Sequence, residues 1–298
     1  LIRRAMKPKV DIVVLCYNRC DLTLPCLQQV AHSVKQTPYR LSVVDNASKD
    51  RTASMLRWFK ANTRWYFPWA KYRGVNFRYH VSPVNMGFAR GNNFAVADSR
   101  AEWLLFINND CYPKTEFWLE RLIDCAEQNG FAMCGPTSEA VLGIQQMKWN
   151  DQFPMVHEAK FLSGLCLLVR RKDFEEVGGW DESFFNGDED LDLSIRMRLA
   201  GKKIGVNRAV YVEHLGERSM ALVAKERGIT VRQWYQKTRH QLLTKHGVHW
   251  QHDLFWWENF RTPPSEWPNI GVLPNGQYFQ FPGNAQAQSA AVGELRFV

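Results

Sequence analysis

The stretch EWLLFINNDCYP, residues 102–113, carries an apolar run from Trp103 to Ile107 that stops abruptly at Asn108-Asn109-Asp110, with Pro113 close behind. A run of this length ending in a polar turn reads as a buried β-strand. In open α/β sheets, ligands gather outside the carboxyl ends of the strands. A carboxylate flanked by two amides at such an end offers hard oxygen ligands to a cation, and a cation there calls for something anionic beside it.

Working outward, the preceding chain alternates short apolar runs with helical patterns. VDIVVLC (10–16) and RLSVVD (40–45) read as strands, and VNFRYHV (75–81) as an edge strand. Between them, residues 21–35 read as a helix opened by Asp21, and residues 46–60 as a helix that Asp50 can cap. FARGNNFAVADS (88–99) predicts a helix, as does residues 114–130, stopped by Gly130, before a strand at FAMCG (131–135). Alternation at this spacing implies an α/β fold with a mainly parallel, Rossmann-like sheet flanked by helices. Beyond 136 the pattern loosens. Residues 160–171 predict one long strand, 188–201 a helix with acids at its front, 202–214 paired short strands, and 224–247 one helix closed by Gly247. The remainder, rich in Trp and Pro, forms a C-terminal extension. We therefore expect a catalytic domain over 1–224, with a nucleotide-binding half at about 10–113 and an acceptor half at about 114–224, and a helical, Trp/Pro-rich extension over 225–298.

The 298 residues are 45% hydrophobic and 23% charged, enough to bury a real core and too apolar for global disorder. No apolar run reaches the roughly 20 residues that span a bilayer. The opening LIRRAMKPK lacks the apolar core of a secretion signal. The seven cysteines, an odd number, suit free thiols in a reducing compartment, and Cys16 with Cys20 has no second pair at zinc spacing. The expectation is a cytoplasmic protein, soluble or peripheral at the membrane. A net charge of +8 favours an anionic partner without choosing one. Residues 57–80 contain no acid and interleave basic residues with aromatics. Such a segment can grip a single nucleic-acid strand, lie on a membrane surface, stack on sugars, or simply dock its aromatics on the sheet.

Four polar clusters fall at predicted element ends: CYNR after the first strand, DNASKD after the second, NND after the fourth, and GDEDLD entering a later helix. With NMGFARGNN, SGLCLLVRRKDFEEVGGWDESFF, EDLDLSIRMRLAG and VEHLG, they run in one order from about 10 to 216. In this they resemble the inverting nucleotide-sugar glycosyltransferases of family 2, with a GT-A fold, and within them the rhamnosyltransferase-like branch. A G-x-G-x-x-G after the first strand, which a dinucleotide-binding oxidoreductase needs, is replaced here by CYNRCD.

The resemblance implies roles residue by residue. Asp110 corresponds to the last position of a D-x-D-type motif and to a metal ligand, although Asn108 stands at its first position. His214 would be the second ligand of a divalent cation, Mn²⁺ or Mg²⁺, with Gly216 permitting close backbone approach. Asp45 would accept hydrogen bonds from the base or ribose of the donor, with Tyr17 near the ring and Asn18 supporting the loop. Asn85, Gly87, Arg90, Asn93 and Asn109 fall on the nucleotide side, where amides at a helix start favour an anion and Arg90 approaches the diphosphate. Asp190 would be the base that deprotonates the acceptor, with Glu189 beside it. Asp188 stands where the family often has Gly, and Asp188 or Asp192 can instead serve the helix N-terminus. Trp180 reads as a sugar-stacking wall or as core. The implied activity is inverting transfer from a UDP or dTDP sugar to a hydroxyl of a cell-surface glycan or glycolipid. A nucleic-acid acceptor, peripheral membrane contact and a non-catalytic binding role stand as alternatives.

Overall fold

The computed structural model describes residues 8–66, 76–149, 156–216, 218–251 and 253–254, and three short strands beyond them. The opening elements are β1 (Val10–Cys16), α1 (Cys20–Ser33), β2 (Tyr39–Asp45), α2 (Thr52–Tyr66), β3 (Asn76–Val81) and α3 (Gly87–Val96). Next come β4 (Trp103–Asn108), β5 (Cys111–Pro113), α4 (Trp118–Asn129), β6 (Phe131–Thr137), β7 (Val156–Glu158), β8 (Cys166–Arg170) and α5 (Arg171–Glu176). The last are α6 (Glu189–Leu199), β9 (Lys203–His214), α7 (Arg218–Glu226) and α8 (Val231–His246). A small antiparallel sheet joins 270–272, 278–280 and 296–297.

The main sheet runs β3-β2-β1-β4-β8-β6-β9-β5, with β7 also on β9. Its first four strands are parallel, with β3 at the edge as the alternating pattern predicts. The remainder corrects the expectation of a mainly parallel sheet. β8 is antiparallel to β4 and β6, β9 is parallel to β6, and β5 and β7 are antiparallel to β9. The parallel register pairs Cys16 with Asp45, Asp45 with Val81 and Leu15 with Asn108. Four strands thus end level, and the loops after them share one edge of the sheet.

Both faces are covered, which is why the central strands read as unbroken apolar runs. Val10, Ile12, Val14 and Cys16 of β1 face a core shared with Cys26, Leu27 and Val30 of α1, Leu56 and Phe59 of α2, and Trp118 and Leu122 of α4. Val13 faces the other side, with Ala89 and Ala95 of α3, Phe174 of α5 and Leu193 and Met197 of α6. The buried Asp11 of β1 is held by both arms of Arg40.

Four element boundaries depart from the sequence reading. Helix α1 opens at Cys20, not Asp21: Arg19 is left-handed (φ 58°), and the Cys20 amide donates to Asp50 Oδ2. The long strand expected at 160–171 shrinks to β8. The amides of Leu162, Ser163 and Gly164 donate to Ser194 Oγ, Gln145 Oε1 and Asp190 Oδ2, and no strand partner takes them. Residues 203–214 form one strand with a register shift, not a pair. The helix expected over 224–247 is two, separated by Gly228 at φ 67° and restarted by a capping box between Thr230 and Gln233.

The basic aromatic stretch lies partly outside the described residues. Of its described part, Phe59 and Phe77 pack ring against ring, Lys60 sits over Tyr79, and Arg78 binds Ser42 and Asp98. The end of the chain's Trp-rich stretch, including Trp256 and Trp257, also lies outside. Among the described residues no helix is long and apolar enough to cross a membrane.

Helix α8 joins the body through a third core, in which Leu242, Leu243, Trp250 and Leu254 meet Phe161, Phe184, Leu191 and Ile195. Leu242 is fully buried. Leu242→Ala is therefore expected to lower stability by about 2–5 kcal/mol in urea unfolding; a value near zero would mean that α8 contributes nothing to the fold.

Candidate active site

The turn after β4 is fixed from below by Leu165, whose carbonyl accepts both the Asn108 amide (2.8 Å) and the Cys111 thiol (3.3 Å). β5 then pairs antiparallel with the end of β9, placing Cys111 opposite His214. This brings His214 Nε2 to 3.3 Å from Asp110 Oδ1, with both side chains nearly buried. The Asp110 carbonyl accepts the Leu215 amide, and His214 Nδ1 lies 3.4 Å from the Ala140 carbonyl. One ligand atom each from Asp110, Cys111 and His214 lies within 4.8 Å of the others. A carboxylate oxygen and an imidazole nitrogen facing each other fit a divalent cation of the Mn²⁺ or Mg²⁺ kind. The thiol is committed to Leu165, and burial pushes it well above its ordinary pKa. Gly216 has open space where a β-carbon would stand, so its requirement is the positive φ of 78°, not a close approach.

One residue from Leu165, the Gly164 amide donates to Asp190 Oδ2 (2.7 Å), while the Leu191 amide donates to Oδ1 (2.9 Å). A β-carbon on Gly164 would lie 3.3 Å from that of Asp190, so the contact needs glycine's small size. Burial pushes the Asp190 carboxyl up to about 6, with the charge of Asp188 adding to it and the two amides opposing. Neighbouring Glu189 is buried, one of its oxygens has no hydrogen-bond partner among the described residues, and burial with the charge of Asp190 holds it well above the usual carboxylate range. The two acids thus share a buried environment that raises both of them. Neither Asp188 nor Asp192 caps α6 with its side chain, as sequence would allow. Asp188 is gripped by Arg239 and Thr238, and Asp192 by Arg196, Lys245 and His246.

On the other side of Asp110, Asn18 braces the loop after β2: its amide donates to Ser48 Oγ and its Oδ1 accepts the Lys49 amide. Asp45 is fully buried. Its Oδ1 accepts the Ser48 amide, and its Oδ2 has no hydrogen-bond partner among the described residues. An unpaired buried carboxylate oxygen is costly, and a donor from a bound molecule would relieve it. The Tyr17 hydroxyl is held by Glu226 of α7 (2.7 and 2.8 Å), and its ring packs with Val223 and Trp234. Arg227 lies over Phe185 and Trp234. Sequence reasoning missed Glu226, because nothing local in AKERG marks a partner 209 residues away.

Several expected binding residues also make contacts within the fold. Asn85 Oδ1 accepts from Asn46 and from the Gly87 amide, while Asn46 Oδ1 accepts the Met86 amide. The Phe88 amide donates to the Phe185 carbonyl, so three amides at the start of α3 are already satisfied and offer no anion site. Gly87 (φ 78°) is required by that approach, since a β-carbon would fall 2.4 Å from the Phe185 carbonyl oxygen. Arg90 is exposed, 4.0 Å from Glu182. Asn93 is bonded to the Trp180 backbone in both directions. Asn109 donates to Thr23 Oγ1 in the interior. Trp180 is buried among Phe88, Phe106 and Phe174, a core residue and not a wall open to a sugar.

The chain is 22% identical over 249 residues to the O-antigen biosynthesis protein RfbC of Myxococcus xanthus, covering 72% of this chain and 18% of that protein. It is 26% identical over 175 residues to rhamnosyltransferase WbbL of Escherichia coli K12, covering 48% of this chain and 65% of WbbL. A longer uncharacterized relative from Sinorhizobium fredii is likewise spanned over only 23% of its length. Among solved structures, mannosyltransferase PcManGT from Pyrobaculum calidifontis, in complex with GDP-Man and Mn²⁺, superposes with a TM-score of 0.59 at 15% identity, covering 81% of this chain and 64% of that one. That likeness establishes the GT-A fold. Residues 11–178, more than half of the sequence, match the profile of glycosyl transferase family 2, and the chain belongs to that family.

Proposed function

We propose that the protein is an inverting, metal-dependent glycosyltransferase that moves a hexosyl or deoxyhexosyl group from a UDP or dTDP sugar to a hydroxyl of a cell-surface glycan or glycolipid. The observation that carries this reading is the approach of His214 to within 3.3 Å of Asp110, on a turn tied to Leu165, whose neighbour Gly164 binds Asp190. The printed functions of the relatives, O-antigen biosynthesis and rhamnosyl transfer, support a glycan acceptor. The Mn²⁺ in the mannosyltransferase complex supports the use of a divalent cation.

Asp110 and His214 would hold the cation, which supplies Lewis-acid stabilisation to the departing diphosphate. Asp45, with its unpaired oxygen, would accept from the nucleoside, and Tyr17 would line the base. Asp190 takes the proton of the acceptor hydroxyl. As that oxygen bonds to the anomeric carbon, the bond from this carbon to the diphosphate oxygen breaks on the opposite face, and the configuration inverts in one step. Glu189, buried beside Asp190, would stand on the acceptor side of the base.

A carboxyl that titrates near 6 serves as a base only above that pH. Release of nucleoside diphosphate, screened over UDP-, dTDP- and GDP-sugars with Mn²⁺ or Mg²⁺, should therefore fall tenfold per unit as pH drops below about 6. Asp190→Asn should lower turnover by roughly 10²–10⁴-fold and leave donor binding, read by calorimetry, largely intact; unchanged turnover rejects the assignment. Chelation with EDTA should abolish release and added Mn²⁺ restore it. Full activity in EDTA would remove the cation from the reading.

A further inference from the structure

Helix α8 is fastened along its length to the segment 181–192 that carries the base. The Trp234 indole donates to the Asn186 carbonyl, Thr238 Oγ1 to Asp188 Oδ2 (3.2 Å), and Lys245 to Asp181 (2.6 Å) and Asp192 (2.5 Å). Between these contacts, Arg239 reaches both oxygens of Asp188, Nε to Oδ2 and Nη2 to Oδ1, each at 3.1 Å. Asp188 is buried, and its backbone is left-handed (φ 61°) at the position just before α6. A residue with a β-carbon is disfavoured in that conformation relative to glycine, Asp and Asn less than most. A buried carboxylate is also costly without a partner. Something must hold Asp188 where it is, and the forked guanidinium has the geometry to do so.

We propose that Arg239 is a positioning residue for the base: its two-pronged hold on Asp188 fixes the turn from which Asp190 projects and offsets the negative charge standing beside it. The inference rests on the reading of Asp190 as the base. The groups facing Asp190 are Asp188 and Glu189 from its own turn, Arg239 acting through Asp188 from α8, and the Gly164 amide from the loop before β8. Asp192, Arg196, Lys245 and His246 form a separate, mutually compensated cluster further along α6 and α8. Asp188 pushes Asp190 upward, so an Asp188 stripped of its arginine would push it further and keep the base protonated at neutral pH.

The test is a ¹³C-carboxyl NMR titration of the full chain, with the Asp190 resonance assigned by its loss in Asp190→Asn. Arg239→Gln should raise the Asp190 midpoint by roughly one unit, and Asp188→Gly, tolerated at a left-handed position, should lower it by a similar amount. The acid limb of nucleotide release from a UDP- or dTDP-sugar should move in the same direction for each variant. Arg239→Lys, which keeps the charge and loses the fork, should give a smaller rise and replaces the Gln variant if that does not fold. Opposite shifts support the proposal, because a loosened helix would move both variants toward the ordinary carboxylate value. Unmoved midpoints, or a fall in both variants, would overturn it. If wild-type protein released no nucleotide from any donor, the base reading would fail, and the titration would still decide the role of Arg239.

Discussion

The pairing of Cys111 with His214, three residues of β5 laid against the end of β9, is the constraint on which the site depends. An isolated three-residue strand has little stability of its own. It holds here because Leu165 ties down the turn before it and the long strand β9 is anchored across the sheet by β6. From that register follow the approach of the imidazole to the carboxylate and the position of both at the edge where the parallel strands end. Gly164, adjacent to Leu165, carries the same constraint to Asp190. One short loop therefore holds both the Asp110 turn and Asp190, and its amides are diverted from strand pairing to do so.

The match to the family ends at residue 178, ahead of Asp190, His214 and every residue of α7 and α8. The residues expected as base and as second metal ligand therefore stand outside the matched span, as do the helices behind them. Tyr17 and Asp188 illustrate the consequence. Each sits beside a group with an expected function, and each has its polar atoms held by a helix beyond residue 217: Tyr17 by Glu226, and Asp188 by Arg239. The C-terminal helices therefore act on the site from behind through ionisable partners, beyond their apolar packing.

Much of this was legible in the sequence where the signal is local. Apolar runs ending in CYN, DNAS and NND marked three level strand ends, and Gly130 marked a helix stop, because burial on both faces and a left-handed cap leave their signature in neighbouring residues. What could not be read depended on partners far along the chain. Asn85, Asn93 and Asn109 have the amide chemistry of ligand-binding residues, yet part of it is already taken up: Asn46 donates to Asn85, Asn109 donates to Thr23, and Asn93 bonds the Trp180 backbone in both directions. Trp180 was equally open to stacking or core, and three phenylalanines decide it. The strand expected at 160–171 failed for the same reason: three side chains from elsewhere capture its amides.

The central claim is that Asp110 and His214 share one cation. The direct measurement is anomalous diffraction from crystals grown with Mn²⁺ and UDP, at wavelengths on either side of the manganese edge. The account predicts a single anomalous peak within bonding distance, about 2.0–2.3 Å, of Asp110 Oδ1 and His214 Nε2. A manganese peak elsewhere on the protein, with none between these two side chains, would contradict it.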